Sequence, residues 1–149
     1  LKLIPTSTAE IYATMLPSHP LAVFEKIDLH QLSDTDIILL DAKSCIQGQI
    51  MEEFQRLGIL PRIRSTHEQI FCMLNMVKLG NFVGFLNASD PIMRQYLTDI
   101  GLIIRPLDPP VTFATGFIVN TSRHLPKLAE ELIRFTRRLE AEEAAPKAQ

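Results

Sequence analysis

The sequence predicts an α/β domain with a largely parallel sheet, and two observations carry that prediction. The run Ile37-Ile-Leu-Leu40 is continuously apolar, which is typical of a strand that is buried on both faces. Three short strand-like segments, near residues 37, 61 and 82, are each followed by a segment whose apolar residues recur at helical spacing. Alternating strands and helices favour a sheet of parallel strands that are connected by helices.

The chain before the buried strand is predicted to form one strand and an irregular connection. Glu10–Leu16 is the strand, and Pro17 closes it. The segment Pro17–Ala22 holds two prolines and cannot form the interior of a helix. We therefore expect it to connect two structural regions, with a short polar turn at His30–Thr35 before the buried strand.

Two helices are predicted after the buried strand, with a short strand at Pro61–Ser65 between them. The first begins at Ser44 and ends at Gly58, and the second begins at Thr66 and ends at Gly80. Their apolar faces are Ile46, Ile50, Phe54 and Leu57 in the first helix, and Ile70, Met73, Leu74 and Val77 in the second. Spacings of three and four residues place each set on one side of its helix, so we expect both helices to pack on the sheet.

The rest of the chain is predicted to hold three more strands and two more helices. The strands are Phe82–Leu86, Leu102–Ile104 and Thr112–Val119, and the helices are Asp90–Thr98 and a long helix from about Pro126 to Glu140. Pro91 suits the first turn of the shorter helix. The apolar face of the longer helix is Leu128, Leu132, Phe135 and Leu139. Residues 141–149 are predicted to form a disordered tail.

Composition limits the classes of protein to which the chain can belong. Its 149 residues suffice for one domain with a substantial core. The net charge of −2 argues against broad non-specific binding to nucleic acid, which needs clustered basic side chains. No apolar run approaches the roughly 18 residues of a membrane span, and the N-terminal LKLIPTSTAE lacks the features of a signal peptide. Cys45 and Cys72 are expected to be buried apolar residues in a reducing cytoplasm.

Sequence motifs of enzymes and metal sites are absent from the chain. It contains no GxGxxG, GxxxxGK[ST], GxSxG or HExxH. The histidines are scattered, and none has a second histidine or a cysteine at the spacing of metal ligands. We therefore predict no catalytic residue, no metal and no cofactor.

Both predicted helix starts after the buried strand fit the capping-box pattern [ST]-x-x-[EQ]. The two segments are Ser44-Cys-Ile-Gln47 and Thr66-His-Glu-Gln69. One interpretation is purely structural, because the hydroxyl and the glutamine each satisfy a backbone N–H, and such a cap contributes about 1 kcal/mol.

The same two starts also suit a ligand, because ligands of open parallel sheets bind beyond the carboxyl ends of the strands. Helix N-termini carry free N–H groups and partial positive charge, to which Lys43 and Arg64 add full charges, so a carboxylate or another small anion is favoured. Glu68 argues mildly against an anion. His67 is either a titratable residue of such a site or an ordinary exposed histidine. The residues leave the structural and the ligand-binding interpretations open.

Five segments, taken in order, resemble the effector-binding domain of LysR-type transcriptional regulators. They are MLPSHPLA (residues 15–22), DLHQLSDTDIILLD (28–41), FQRLGILPRIRST (54–66), MVKLGNFVGFLNAS (76–89) and FIVNTSRHLPKLAEELIRF (117–135). No single segment is specific, whereas five in order at the family's spacing are much more so. The chain departs from the family pattern at Phe82, Gly84 and Asn87, beside the expected crevice. The family's winged helix-turn-helix and most of its first lobe have no counterpart in these residues.

The resemblance implies a two-lobed α/β fold of the periplasmic-binding-protein-like type 2 class, with a small, anionic effector between the lobes. It divides the chain into a first-lobe strand and crossover (1–18), the second lobe (19–110), the return strand and C-terminal helix of the first lobe (111–140) and the tail (141–149). The effector-binding residues that it implies are Asp41, Ala42, Lys43, Ser44, Arg64, Ser65, Thr66, His67, Gly84 and Phe85.

The function implied by the resemblance is a ligand-sensing regulatory domain without catalytic activity. It also implies a cytoplasmic homodimer or tetramer that contacts DNA only through the winged helix-turn-helix and does not contact a membrane. The outer face of the helix from Ser44 to Gly58 is the dimer surface to test. Two alternatives stay open: a solute-binding protein of the same fold class, which the lack of signal-peptide features disfavours, and a small α/β enzyme, which the lack of a catalytic motif disfavours.

Overall fold

The computed structural model describes residues 1–144, which form six strands, four α-helices and two short 3₁₀ helices. The strands are β1 (Lys2–Met15), β2 (Ile27–Asp28), β3 (Asp36–Leu40), β4 (Arg62–His67), β5 (Val83–Asn87) and β6 (Ile103–Val119). The α-helices are α1 (Cys45–Arg56), α2 (Ile70–Leu79), α3 (Pro91–Asp99) and α4 (Lys127–Ala144). Two compact units are present: unit 1 holds residues 1–9 with the residues from 114 onwards, and unit 2 holds Glu10–Phe113. The predicted lobe boundaries after residues 18 and 110 stay a prediction.

The predicted α/β class is confirmed by the sheet, whose strand order is β2-β6-β1-β5-β3-β4. In unit 2, β3 runs parallel to both β4 and β5, whereas β1 pairs antiparallel with β5. The run β3–α1–β4–α2–β5 therefore consists of parallel strands that are joined by helices, as the alternation in the sequence indicated. Because β3 and β4 are parallel neighbours, α1 and α2 both begin at the same edge of the sheet.

Strand β3 separates two hydrophobic cores in unit 2. Ile37 and Leu39 lie in the first core and Ile38 lies in the second, because successive side chains of a strand point to opposite faces. α1 covers the first core with Ile50 and Phe54. α2 covers the second core with Met73, Leu74 and Val77. Both predicted apolar faces are confirmed, and the two helices pack on opposite faces of the sheet.

The start of α2 differs from the prediction. Thr66 lies in β4, where it pairs with Leu39 of β3, and α2 begins only at Ile70 after its N-cap residue Gln69. Pairing with β3 gives the backbone of β4 ladder hydrogen bonds as far as His67, and these override the local preference of a Thr-x-x-Gln segment for a helix start. The predicted capping box at Thr66 is therefore wrong.

A capping box does form between Asp28 and Gln31, at the start of the polar turn that the sequence predicted for His30–Thr35. The backbone N–H of His30 donates to Oδ1 of Asp28 at 2.8 Å, and the backbone N–H of Asp28 donates to Oε1 of Gln31 at 2.9 Å. These bonds cap a 3₁₀ helix at Leu29–Leu32. The hydrogen bonds from His30 also lower the pKa of the Asp28 carboxyl.

Three other boundaries extend beyond their predicted ends. β1 begins at Lys2 rather than Glu10, and the single strand β6 spans both predicted strands near residues 102 and 112. In unit 1, the hydroxyl oxygens of Ser7 and Thr115 lie 2.6 Å apart, which ties the two extended ends together. α4 continues to Ala144, because alanine and glutamate, which follow Glu140, are strong helix formers. Residues 145–149, where the predicted disordered tail continues, lie outside the described residues.

Several apolar side chains of the helices are more exposed than their sequence pattern indicated. Cys45 and Cys72 lie in α1 and α2, but both are exposed, so the expectation that they are buried is wrong. Cys45 is the first residue of its helix, and Cys72 lies beside the inward-facing Met73 and Leu74. The predicted apolar face of α4 is also exposed: Leu128, Leu132, Phe135 and Leu139.

The connection that follows β1 is held by His19 and Arg105. His19 is only 5% exposed, and its Nδ1 accepts a hydrogen bond of 3.1 Å from the backbone N–H of Leu21, which caps the first 3₁₀ helix. Arg105 donates from Nε to the carbonyl of Phe24 at 2.7 Å and from Nη2 to the carbonyl of Ala22 at 2.9 Å. Side chains therefore fix this proline-rich segment at several points.

Lowering the pH below 6.5 is expected to destabilise the protein through His19. Burial lowers the pKa of His19 from its usual value of 6.5, and a hydrogen bond with the backbone of Asn81 offsets this only in part. The unfolded chain then takes up a proton on this ring before the folded chain does. The free energy of unfolding consequently falls as the pH drops below 6.5 and stops falling below the lowered pKa of the folded state, while above 6.5 the residue has no effect. Urea unfolding on either side of pH 6.5 measures the change.

Two variants separate His19 from the other histidines. His19→Asn keeps a hydrogen-bond acceptor at the cap but does not titrate, so it should remove most of the pH dependence. His124→Asn, at an exposed histidine, is the matched control and should retain that dependence. The same pH dependence in His19→Asn and in the unmodified chain would contradict the assignment.

Candidate functional site

An open depression lies at the carboxyl ends of β3 and β4. It has a volume of about 530 Å³, and its lining residues are Leu40, Asp41, Lys43, Ser44, Glu68 and Ile70. Leu40 ends β3, Ser44 is the N-cap residue of α1, and Ile70 is the first residue of α2. The starts of two helices therefore flank one depression, which is the usual location of a ligand in an open parallel sheet.

Backbone hydrogen bonds hold the loop between β3 and α1 in place. The N–H of Asp41 donates to the carbonyl of His67 at 2.9 Å, which fastens the loop to the end of β4. The N–H of Ser44 donates to the carbonyl of Asp41 at 2.9 Å, and the N–H of Lys43 donates to Oδ1 of Asp41 at 3.2 Å. The groups at the start of α1 are thus positioned before any ligand arrives.

The start of α1 lacks the capping box that the sequence predicted. Ser44 occupies the N-cap position, but its side chain makes no capping hydrogen bond. Oε1 of Gln47 is buried and has no hydrogen-bond partner among the described residues, so this glutamine does not complete the box. The first N–H groups of a helix have no partner inside the helix, and here the cap side chain does not satisfy them either. They are available to an acceptor in the depression.

Charge in the depression is nearly balanced. Nζ of Lys43 lies 4.0 Å from Oδ2 of Asp41 and 3.9 Å from Oε1 of Glu68. The side chains of Lys43 and Glu68 are 85% and 80% exposed, so these long ion pairs are weak. One lysine, two carboxylates and roughly half a positive charge from each of the two helix starts sum to about zero. Attraction for an anion is therefore local to the start of α1 and to Lys43.

The predicted residues of β4 do not line the depression. Nε of Arg64 donates to Oδ2 of Asp36 at 2.7 Å, and Asp36 is the first residue of β3, so Arg64 reaches towards the opposite end of that strand. Oγ of Ser65 lies 3.0 Å from Nε2 of His67. Thr66, which comes between these two residues in the sequence, is exposed. His67 contacts the loop of the depression through its backbone carbonyl.

Gly84 and Phe85 lie inside β5 and contact the cores. A Cβ at Gly84 would lie 2.5 Å from Sδ of Met73 and 2.9 Å from Cγ2 of Val77, so glycine allows α2 to pack closely on the sheet. Phe85 is buried against Phe54, with ring centroids 6.4 Å apart in an edge-to-face arrangement. Neither residue is part of the depression.

Of the residues that the resemblance implied, the structure brings Asp41, Lys43 and Ser44 together in the depression, whereas Ala42 is exposed in the same loop outside its lining. The predicted site residues did not include Leu40, Glu68 and Ile70, which also line the depression. Placing the N-cap of α2 at Gln69 instead of Thr66 would have found Ile70, but no local pattern signals that shift.

Two further observations concern residues 1–144. No group of three or more histidine, cysteine, aspartate or glutamate side chains in this range is arranged to hold a metal ion. No helix in the same range combines the length and the apolar character that crossing a membrane requires.

Comparison with known proteins identifies the family. Residues 1–141 match the LysR substrate binding domain. The chain belongs to this family. Its fold is accordingly the periplasmic-binding-protein-like α/β fold that the resemblance implied, and the LysR substrate-binding domain is a regulatory domain of transcription regulators.

Solved structures of LysR proteins share this fold. The effector-binding domain of QuiR in complex with shikimate is 16% identical with a TM-score of 0.75, and the match covers 95% of this chain and 66% of that one. HinK, a LysR family transcriptional regulator from Pseudomonas aeruginosa, is 20% identical with a TM-score of 0.78 over 96% of this chain and 49% of its own. The C-terminal domain of a probable LysR family regulator from Rhodococcus sp. RHA1 is 24% identical with a TM-score of 0.75 over 91% and 66%. The chain thus spans about two thirds of the isolated domains and half of HinK.

Proposed function

We propose that the chain senses a small anionic effector for a LysR-type transcriptional regulator, and that the anion binds at the start of α1. The observation that carries this proposal is the uncapped start of α1 inside the depression at the carboxyl ends of β3 and β4. Membership of the LysR substrate-binding family supports the regulatory role. The shikimate bound by QuiR, a carboxylate with several hydroxyl groups, supports the class of ligand.

The lining residues suit a carboxylate that also carries polar and apolar parts. The first N–H groups of α1 and the hydroxyl of Ser44 are donors for the carboxylate. Lys43 exchanges its long contacts with Asp41 and Glu68 for the ligand at little cost, because those contacts are solvated. The two carboxylates then accept hydrogen bonds from ligand hydroxyl groups. Leu40 and Ile70 provide the apolar contact.

Regulation then follows from a difference in affinity between conformations of the protein, because a ligand shifts an equilibrium only by binding one state more tightly. The role requires no catalysis. A LysR-type regulator of this kind acts on DNA in the cytoplasm through a DNA-binding domain outside this sequence, with the present chain serving as the sensor.

A homodimer or tetramer is part of the proposal, with the outer face of α1 as the contact. An open groove of about 480 Å³ follows this face, and its apolar lining includes Met51, Ile59 and Leu60. Leu60 is 89% exposed, so a partner subunit can reach it. Sedimentation velocity of the chain and of Leu60→Glu tests the contact: the variant should sediment as a smaller species, and identical sedimentation of both would contradict this surface.

Thermal unfolding with shikimate as the probe tests the proposed ligand class. A ligand at about 100 times its dissociation constant adds roughly 2.7 kcal/mol to the free energy of unfolding. For a chain of this length that corresponds to a rise in Tm of roughly 5–10 °C. The methyl ester of shikimate has nearly the same shape without the charge and should give a much smaller rise. Equal rises for acid and ester would contradict binding through an anion site.

A further inference from the structure

Unit 2 contains a second cleft, formed by elements other than those around the α1 depression. It lies between α3, the start of β6 and Pro17, and it has a volume of about 460 Å³. Its apolar wall consists of Leu97, Leu102, Ile103 and Ile104. None of its lining residues also lines the depression at α1. A cleft of this size with a mostly apolar wall and few polar groups is typical of small-molecule sites.

Two arginines line this cleft, and no carboxylate does. Arg94 and Arg105 both contribute to the wall. Among the residues that the structure describes, neither has a carboxylate oxygen within 4.0 Å of its guanidinium nitrogens. Two full positive charges therefore lie beside one apolar cleft without a directly paired negative charge.

The contacts that each arginine does make leave donors unused. Arg105 donates to the carbonyls of Ala22, Phe24 and Ile104, which uses three of the five N–H groups of a guanidinium. These carbonyls are neutral, so the charge of Arg105 is not compensated by them. Arg94 lies over the ring of Tyr12, with Cζ 4.8 Å from the centroid.

The negative groups near the cleft are weaker than these two charges. The hydroxyl of Tyr12 donates to Oε2 of Glu10 at 3.1 Å. Glu10 and Arg94 therefore both contact Tyr12, but they form no direct ion pair with each other. Asp99 ends α3, and its carboxylate accepts a hydrogen bond of 2.7 Å from Nε2 of Gln95. The C-terminus of α3 adds about half a negative charge, but the N–H of Leu102 donates to the carbonyl of Leu97 and reduces its effect. The balance favours an anion.

We propose that this cleft is a second binding site, for a small carboxylate with an apolar body. The carboxylate pairs with the guanidinium groups of Arg94 and Arg105, and the apolar body contacts the leucine and isoleucine wall. Arginine suits this role because its planar group forms paired hydrogen bonds with a carboxylate. This site does not depend on the effector site proposed at α1, and either can exist without the other.

Amide NMR of the 149-residue chain during titration with benzoate tests the second site. Benzoate should shift the backbone amides of Gly101 and Leu102 in a saturable manner, and benzamide, which has the same shape without the charge, should shift them much less. Arg94→Gln removes one charge at an exposed position and should weaken the Kd of benzoate at these amides about tenfold. Because Arg94 is exposed, this variant should keep the amide spectrum of the folded chain.

Lys43→Gln is the matched control, because it removes one charge from the depression at α1 and none from the cleft. It should leave the benzoate Kd at Gly101 and Leu102 unchanged even if the α1 proposal fails. The second site is overturned if Arg94→Gln binds benzoate as tightly as the unmodified chain, if benzamide binds equally well, or if neither amide shifts.

Discussion

Replacing Ser44 with aspartate is expected to stabilise the protein and at the same time to prevent it from binding small anions. Ser44 makes no capping hydrogen bond, whereas an aspartate at the N-cap accepts one and also interacts favourably with the helix dipole. The gain in the free energy of unfolding should be about 0.5–1 kcal/mol. The new carboxylate occupies the N–H groups that the effector needs and repels its charge, so the Kd should weaken by roughly 100-fold or more, which equals about 2.8 kcal/mol.

Urea unfolding and calorimetric titration with shikimate measure the two opposite effects of Ser44→Asp. Ala42→Asp is the matched control, because it adds the same charge to the same loop at an exposed residue outside the lining, and it should weaken binding far less. Ser44→Ala should change stability very little, since no capping bond is lost. Undiminished shikimate binding in Ser44→Asp would contradict the proposed position of the anion.

Replacing Phe54 with alanine is expected to cause the largest loss of stability among these variants, about 3–5 kcal/mol. Phe54 is fully buried, and its ring packs edge-to-face with Phe85 across the first core. Truncation removes this contact and leaves a cavity between α1 and the sheet. For a chain of this length, the Tm should fall by roughly 6–20 °C. Urea unfolding measures the change in free energy.

Leu79→Ala is the control for Phe54→Ala. It also truncates a large apolar side chain of a helix, but Leu79, at the end of α2, is 81% exposed, so the change in free energy of unfolding should stay within about 0.5 kcal/mol. A loss of less than about 1 kcal/mol in Phe54→Ala would contradict this account, because it would mean that the packing of α1 on the sheet contributes little to the free energy of unfolding.

Periodicity predicted the elements whose side chains are buried. Ile50 and Phe54 face the first core because spacings of three and four residues recur only on one side of a helix. The apolar run of β3 correctly predicted a strand that is buried on both faces. Ile37 packs in the first core and Ile38 in the second, so both side chains must be apolar. The start of α3 also follows local chemistry: Pro91 lies in its first turn as expected, and Asp90 caps it by accepting a hydrogen bond from the N–H of Ile92 at 2.8 Å.

Tertiary pairing decided the features that local patterns missed. Thr66 has the sequence context of a helix cap, but its backbone pairs with Leu39, and only the fold reveals that partner. The charge of the candidate site differs from the prediction for the same reason. Arg64 pairs with Asp36 and does not line the depression, whereas Glu68 does. The shape of the depression depends on where β4 ends and α2 begins, and a single sequence does not specify that point.

Amide NMR of the chain during titration with shikimate tests the central claim most directly, because it reports on each backbone N–H separately. An anion at the start of α1 should produce its largest saturable shifts at the amides of Cys45, Ile46 and Gln47, with smaller shifts at Lys43. Saturable binding that leaves these four amides unchanged, or no binding of shikimate and other small carboxylates at all, would contradict the account.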